Sequence, residues 1–205
     1  MGVWSAAAAR VNLGDSDIEL MLEVSKGAEP AFAQLYERYH RRVQDFFYGL
    51  SRDSHTAADL CQETFFRIWR VRGRYAATGS FPSYLFTFAR TIWLEHCRTL
   101  KKRNRLGYAD TLETHRERLR SAPETEPDAQ AGRSELRDHV FDALDQLPEE
   151  QRMVFILRNI EGLGLEEIAC VMQCPVNTVR SRKLLAQKKI RETLRNQMVT
   201  PRHAL

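Results

Sequence analysis

A run of hydrogen-bonding side chains at helical spacing lies near the C-terminal end of the chain. Arginine can pair with guanine through two hydrogen bonds, and small polar groups in the first turn of a helix can hold a phosphate. The run therefore predicts a helix that reads base edges in the major groove of duplex DNA. The side chains expected to face the groove or its phosphates are Asn177, Thr178, Arg180, Ser181, Lys183 and Leu184.

The residues before this helix predict the elements that hold it in place. Leu165–Met172 has the spacing of a short amphipathic helix, Gln173–Pro175 is a turn, and a long basic helix begins at Val176. Val179 is expected to face inward against the first helix of the pair. This order is that of a helix-turn-helix. The alternative, a basic helix that is merely solvated, leaves the turn and the apolar positions unexplained.

Basic residues are concentrated in two places, although the formal net charge is only +4. Five lie in residues 98–105 and seven in residues 180–195, and acidic residues are frequent in 121–135 between them. Two basic helices separated by an acidic tether suit contacts with nucleic acid at two places. The C-terminal basic residues expected to meet phosphates or stay solvated are Arg182, Lys188, Lys189 and Arg191.

Length and composition limit the class of protein. With 205 residues, of which 43% are hydrophobic, the chain can form one large or two small domains. Its mean hydropathy is −0.47, and no apolar run approaches the ~20 residues of a membrane span. We therefore expect a soluble, cytoplasmic protein with no signal peptide and no membrane insertion.

Apolar residues recur at helical spacing almost throughout, so the sequence predicts an all-α fold. Ser16 is expected to cap a first helix that ends near Gly27. Pro30 is expected in the first turn of a second helix, and a third is expected to run from Ser54 to about Val71. A loop at Arg72–Ser80 then leads to a fourth helix, which Ser80 caps and which becomes basic at its end.

The helices are expected to form two domains joined by a tether. Residues 106–133 have weak periodicity, two prolines and many charges, which predicts a flexible linker. The expected division is an N-terminal extension at 1–14, a first domain at 15–105, the linker at 106–133 and a second domain at 134–205. In the second domain, Pro148 is expected to start a helix that Gly162 and Gly164 end.

Two motifs carry a resemblance to one family. The segments DLCQETFFRIWRVRGRY (59–75) and GSFPSYLFTFARTIWLEHCRTLKKR (79–103) are similar to the second domain of extracytoplasmic-function sigma factors. The segments LPEEQRMVFILRNIEGL, EEIA and PVNTVRSR resemble the fourth domain of the same family. The motifs occur in the family's order, with a linker between them.

The resemblance implies an all-α protein of two helical domains that binds core RNA polymerase, directs it to promoters and melts the −10 element. It implies no enzymatic activity, cofactor or metal in the protein itself. The implied partners are the largest polymerase subunits and promoter DNA. Family members are usually restrained by an anti-sigma protein, and the sequence leaves open whether this chain has one.

The resemblance also implies a docking surface for the clamp helices of polymerase. Asp59, Gln62 and Glu63 lie at i, i+3 and i+4, so they share one side of a helix and could meet a basic coiled coil. The alternative is an ordinary solvated helix face. The implied polymerase-binding set is Asp59, Gln62, Glu63 and Arg67.

The loop Arg72–Ser80 matches the family element that captures an unstacked base of the −10 non-template strand. Arg74 and Tyr75 offer charge and stacking, although Tyr75 could instead close the core of an ordinary turn. The implied −10 residues are Arg72, Gly73, Arg74, Tyr75, Ser80, Arg90, Thr91 and Glu95. Backbone phosphates are assigned to Lys101, Lys102, Arg103 and Arg105. The aromatic residues expected in the core are Phe65, Phe66, Trp69, Phe86 and Phe88.

Five positions depart from the family pattern. Gly164 replaces the usual Ser cap, a small loss. Thr91 and Glu95 replace residues that are often Asn and Asp or Asn. Gln173 lies in a turn that often contains Gly, and a left-handed conformation there would cost roughly 1 kcal/mol. Leu185 lies where some members carry Arg, so the −35 sequence is expected to differ from theirs.

Three other functions compete with this interpretation. A stand-alone helix-turn-helix regulator would bind DNA as a dimer, but the chain has no obvious heptad seam. A metal or thiol sensor would use His96, Cys97, Cys170 and Cys174. The simpler interpretation is that Cys61, Cys97 and Cys170 fill apolar helix positions. A hydrolytic enzyme is the weakest rival, since no acid–base pair or nucleophile has motif-like spacing.

Overall fold

The computed structural model describes residues 14–105 and 143–199, with side chains given for 16–105 and 143–195. Within these ranges the regular elements are helical and there is no strand. They are α1 (Gly14–Ser25), α2 (Glu29–Ser51), α3 (Ser54–Val71), a 3-10 turn (Arg72–Arg74), α4 (Phe81–Arg105), α5 (Glu149–Asn159), α6 (Leu165–Met172) and α7 (Val176–Val199). The predicted linker and nearly all of the N-terminal extension lie outside the described residues.

The helix ends follow the local sequence signals with one exception. Pro30 lies in the first turn of α2, and the Ser83 amide donates to Ser80 Oγ at the start of α4, as predicted. The prediction for Ser16 was wrong, because α1 begins at Gly14 and the Ser16 hydroxyl instead accepts a hydrogen bond from Arg38. The Ser16 hydroxyl therefore serves Arg38, which also pairs with Asp17, and does not cap the helix.

The first four helices share an aromatic core. Phe46, Phe47 and Phe86 are fully buried, and the ring of Phe46 meets the other two edge-on at 5.4 Å. The buried Asp17 on α1 accepts hydrogen bonds from Tyr39 and Arg38 on α2. This pairing compensates the carboxylate for its loss of water, and it fixes α1 against α2.

The predicted helix-turn-helix is present as α6 and α7. Ile168, Ala169 and Val179 are buried in the same apolar cluster, which confirms the expected orientation of Val179. Gln173 takes a left-handed conformation with φ 52° and ψ 46°. The expected strain at this turn is therefore real, because a side chain there crowds its own backbone.

The two described parts of the chain are residues 14–105, the first half, and residues 143–199, the second half. These halves pack against each other, an arrangement that the sequence did not predict. Helix α4 packs on α6, and α2 packs on α5. Gly49 of α2 is buried at this contact, where an added Cβ would lie 2.8 Å from Ile156 Cδ1. Trp93 Nε1 donates to Glu149 Oε1 at 2.5 Å. Close backbone approach and buried polar pairs thus join the halves.

In the described ranges, 14–105 and 143–199, no helix is both long enough and apolar enough to cross a membrane.

Candidate nucleic-acid interface

One side of α7 is buried and the other carries the predicted base-reading residues. Val179, Ala186 and Ile190 hold the helix against the rest of the second half. Asn177, Arg180, Ser181 and Leu184 are exposed on the remaining surface. The structure therefore brings these four predicted residues together on one accessible face.

Local hydrogen bonds orient two of these side chains. Arg180 Nη1 donates to Asn177 Oδ1 at 3.3 Å, and Ser181 Oγ donates to the Asn177 carbonyl oxygen at 3.0 Å. The Arg180 guanidinium keeps further N–H donors for a base edge. Thr178 and Lys183 are only half-exposed, so they lie at the margins of this face.

Arg182 has protein partners that the sequence did not predict. Its guanidinium pairs with the Glu150 carboxylate of α5 and also donates to Cys174 Sγ at 3.4 Å. The side chain, which is 22% exposed, therefore ties α7 to α5 instead of extending freely into solvent. The spacing along α7 could not reveal an acidic partner 32 residues earlier in the chain.

A cleft of about 690 Å³ opens where α3 ends and the 3-10 turn begins. It combines three guanidinium groups with an aromatic ring, a composition that suits a base and its phosphate. Its lining residues are Glu63, Arg67, Arg70, Val71, Gly73, Arg74 and Phe88. Sequence reasoning missed Arg70, although the spacing of Arg67, Arg70 and Arg74 was a usable signal. Phe88 packs partly against the core, as expected, and also lines the cleft.

The loop that follows α3 holds two of its predicted −10 residues against the protein. Arg72 lies 4.1 Å above the Trp69 ring and donates to the Trp69 carbonyl oxygen at 2.7 Å. The Tyr75 ring meets Tyr84 edge-on at 5.0 Å, and burial raises the pKa of Tyr75. Stacking of Tyr75 on a base would require the ring to leave Tyr84, whereas Gly73 and Arg74 are exposed.

Arg67 connects a predicted docking residue with a predicted −10 residue. Its Nε donates to Glu63 Oε1 at 2.6 Å within α3, and its Nη1 lies 2.7 Å from Glu95 Oε2 on α4. These bonds, first that to Glu63 and then that to Glu95, raise the pKa of the guanidinium. Arg67 is thus already engaged by two carboxylates at the wall of the cleft.

Asp59 and Gln62 are exposed on α3, as a docking surface requires. Phe66 continues their side of the helix and is 55% exposed, so its assignment to the core was wrong. The neighbouring Phe65 takes the inward position on α3 and is buried. The Arg70 guanidinium lies 5.6 Å from the Phe66 ring centroid and covers part of that ring.

The predicted −10 residues just before and within α4 have different surroundings. Ser80 hydrogen-bonds with Glu167 of α6, so the second half covers it. Thr91 is exposed, although its hydroxyl donates to the Thr87 carbonyl oxygen of its own helix at 2.9 Å. Arg90 is half-buried and electrostatically coupled to Cys174 in the second half. The predicted phosphate-binding residues at the end of α4 are all exposed: Lys101, Lys102, Arg103 and Arg105.

The cysteines do not share one environment. Burial raises the pKa of Cys61 to about 12, and burial together with Glu149 raises that of Cys97 to about 12. Both thiols are therefore protonated and unreactive at neutral pH. Cys170 is exposed, so its expected apolar position was wrong. Among the residues that the structure describes, no group of three or more His, Cys, Asp or Glu side chains could hold a metal ion.

A helix-turn-helix whose second helix exposes base-reading side chains, together with a basic, aromatic-lined cleft at the end of α3, is typical of a helical DNA-binding protein of transcription. Residues 35–103 match Sigma-70 region 2, and residues 138–190 match Sigma-70, region 4. The chain is 30% identical over 184 residues to the RNA polymerase sigma-H factor of Pseudomonas aeruginosa, spanning 88% of this chain and 94% of that protein.

A second relative agrees with the first. The ECF RNA polymerase sigma-E factor of Escherichia coli K12 is 31% identical over 179 residues, spanning 85% of this chain and 92% of that protein. The chain therefore belongs to the sigma-70 family, within its extracytoplasmic-function group. It is a promoter-directing sigma factor, and the comparisons do not favour a stand-alone regulator.

Two solved structures share the fold. One is CnrH in complex with the cytosolic domain of CnrY, with a TM-score of 0.66 at 22% identity, spanning 89% of this chain and 99% of that chain. The other is the sigma factor RpoE of Bartonella quintana in complex with the anti-sigma factor NepR. Its TM-score is 0.63 at 24% identity, spanning 81% of this chain and 98% of that chain. The predicted all-α, two-domain fold is thereby confirmed.

Proposed function

We propose that the first domain, at 15–105, docks this sigma factor on core RNA polymerase and captures a −10 base. In this proposal the second domain, at 134–205, reads the −35 duplex, and residues 106–133 tether the two. The protein supplies recognition while polymerase performs the chemistry, so it is not itself an enzyme and it works in the cytoplasm with polymerase.

One observation supports this division of labour most directly. The exposed acid-amide face of α3 and the basic cleft at the end of the same helix are adjoining surfaces. A basic coiled coil on Asp59 and Gln62 would leave the cleft open to the non-template strand. Extruding a base costs a few kcal/mol, which contacts with a charged and aromatic cleft offset.

The proposed −10 contacts use the groups that are accessible. Arg70 and Arg74 supply positive charge around the cleft, and Phe88 supplies an aromatic wall. The basic end of α4 would hold the backbone through its exposed lysines and arginines. Ser80 and Arg90 would become available once the second half moves away from α4.

A reversal of charge on α3 tests the docking surface. Asp59→Lys should weaken binding to core polymerase at least tenfold, since a like charge would face the basic partner. Asp59 is a sharper target than Glu63, because changing Glu63 also disrupts its bond to Arg67. Glu23→Lys, on the exposed side of α1, is the matched control. Equal affinity of the unchanged protein, Asp59→Lys and Glu23→Lys for core polymerase would contradict the docking assignment.

We further propose that a restraining protein binds this chain in its packed arrangement. The hydrogen bond between Ser80 and Glu167 ties the −10 loop to the DNA-reading half. A partner that holds the halves together would keep both DNA surfaces from reaching a promoter at once. Co-purification of the chain from its host, with crosslinks from the partner to both halves, would test this idea.

A further inference from the structure

Two neighbouring leucines on the DNA-reading helix are exposed to solvent. Leu184 is 65% exposed and Leu185 is 53% exposed. Among the residues that the structure describes, the other exposed large apolar side chains are Leu22, Phe66 and Leu100. A pair of exposed leucines in an otherwise polar and basic surface is therefore a specific feature of α7.

Helix geometry puts Leu184 on the reading face. At about 100° per residue, positions 177, 181 and 184 fall on one side of the helix. The buried positions Val179, Ala186 and Ile190 fall on the opposite side. Leu185 lies one turn after Ser181, so it extends the apolar surface of Leu184 along the flank of the reading face.

The surroundings of the two leucines indicate a polyanion as the occupant. Exposed basic residues accompany them on α7, namely Arg180, Lys188, Lys189 and Arg191. The Ser181 hydroxyl already donates its hydrogen to the carbonyl oxygen of Asn177, so that hydrogen is not free for a base edge. The leucines themselves offer a base edge only an apolar surface.

We propose that Leu184 and Leu185 select thymine in the −35 element by packing against its C5-methyl group. This inference rests on the proposed function of α7 in the −35 major groove. The thymine methyl is the apolar group that a base pair presents there. A hydrogen-bonding base edge beneath a leucine would lose water without gaining a partner, which disfavours the other bases.

Removing the methyl group alone tests the proposal. A promoter library selected with the complete sigma factor bound to core polymerase would first give the preferred −35 sequence. Each thymine of that element would then be replaced by deoxyuridine, which keeps all hydrogen-bonding groups. We expect binding of the holoenzyme to fall about fourfold at one or two adjacent thymines, the effect of one buried methyl.

Variants of the protein assign the effect to the leucines. Leu184→Ala or Leu185→Ala should bring the thymine-to-uracil ratio at the affected position close to one. Leu184→Met, which keeps an apolar contact, and Leu22→Ala, an exposed leucine on α1, should both preserve the fourfold ratio. Preservation of this ratio by Leu22→Ala together with its loss in Leu184→Ala would support the proposal.

Other outcomes would overturn it. Equal binding of thymine and uracil promoters by the unchanged protein would exclude methyl recognition while leaving −35 reading intact. Loss of core polymerase affinity in Leu184→Ala, with that equality, would assign the leucines to a protein contact. A library with no enriched −35 element would instead show that the proposed role of α7 had failed, and this proposal with it.

Discussion

Arg42 of α2 and Glu161, which follows α5, form an ion pair across the two halves of the protein. Arg42 Nε lies 2.9 Å from Glu161 Oε2, and its Nη2 donates to the Glu161 carbonyl oxygen at 2.8 Å. The Glu161 side chain is 1% exposed, so the carboxylate depends on this partner. Removing one member of a buried pair is strongly unfavourable, because the other charge is then left unpaired.

The contact between the halves should weaken as the pH rises from about 4.5 to about 7. Burial raises the pKa of Glu161 from 4.5 to about 7, an effect that Arg42 opposes and Asp45 reinforces. The packed state thus binds a proton that the separated, solvated carboxyl has released. The free energy that favours packing therefore falls as the pH rises through this window, by at most about 1.4 kcal/mol per pH unit. Above the window it no longer depends on this group.

Trp93 can report this contact, since its indole donates to Glu149 across the halves. In a protein carrying Trp4→Phe and Trp69→Phe, the urea midpoint of Trp93 emission should be higher at pH 5 than at pH 7.5. Glu161→Gln should remove most of that difference. A midpoint that rises with pH in the same window would mean that the Arg42 pair keeps Glu161 ionised.

Arg67→Met should impair promoter melting more than polymerase binding. The substitution frees Glu63 and Glu95 from their shared partner and removes positive charge from the cleft. Because these groups are partly exposed, we expect about a fivefold loss in the rate of open-complex formation. Core affinity should change less than twofold. Fluorescence of 2-aminopurine in the −10 element would follow melting, with Arg41→Met on α2 as the control.

A proportional fall in core affinity and melting rate would contradict this prediction. Arg67 would then act in docking, as its place in the implied polymerase-binding set predicts.

Gln173→Gly should stabilise the folded protein. Gln173 has φ 52°, a conformation that glycine adopts without steric cost. We expect a gain of about 0.5–1 kcal/mol in the free energy of unfolding. The control Gln62→Gly, at an exposed position in the middle of α3, should instead lower the free energy of unfolding by about 1 kcal/mol. Urea denaturation of both variants would check the pair, and destabilisation by Gln173→Gly would show that the side chain contributes more than the turn costs.

Arg180→Ala should relax base preference at one position of the −35 element. A bidentate contact with guanine contributes about 1–3 kcal/mol of discrimination. Arg191→Ala, a change further along α7, should weaken binding to all sequences alike, since that residue is expected to meet phosphate. Competitive binding of the holoenzyme to single-base promoter variants would measure both. A uniform loss in Arg180→Ala would exclude base readout by this residue.

Local sequence was sufficient to predict the helices and the orientation of the DNA-reading pair. Pro30 and Ser80 act within one turn of the helices that they start, and Val179 is buried as its spacing required. These signals are short-range, so a linear pattern contains them. The misassignment of Phe66 shows the limit, because helical spacing alone did not determine whether Phe66, next to the buried Phe65, faces the core or solvent.

Long-range pairing could not be predicted from spacing. Arg42 and Glu161 are 119 positions apart, and each alone looks like an ordinary surface charge. The same is true of Ser80 and Glu167, whose contact covers a predicted −10 residue. Such pairs depend on how α2 and α4 meet the second half, which periodicity within one helix does not determine.

Transcription from a randomised promoter library would test the central claim most directly. The purified protein would be mixed with bacterial core RNA polymerase, and the transcript starts would be sequenced. We predict enriched −35 and −10 elements at a fixed spacing, lost together when Asp59→Lys prevents docking. Sequence-specific DNA binding by the protein alone, without initiation from polymerase, would contradict the account and favour a stand-alone regulator.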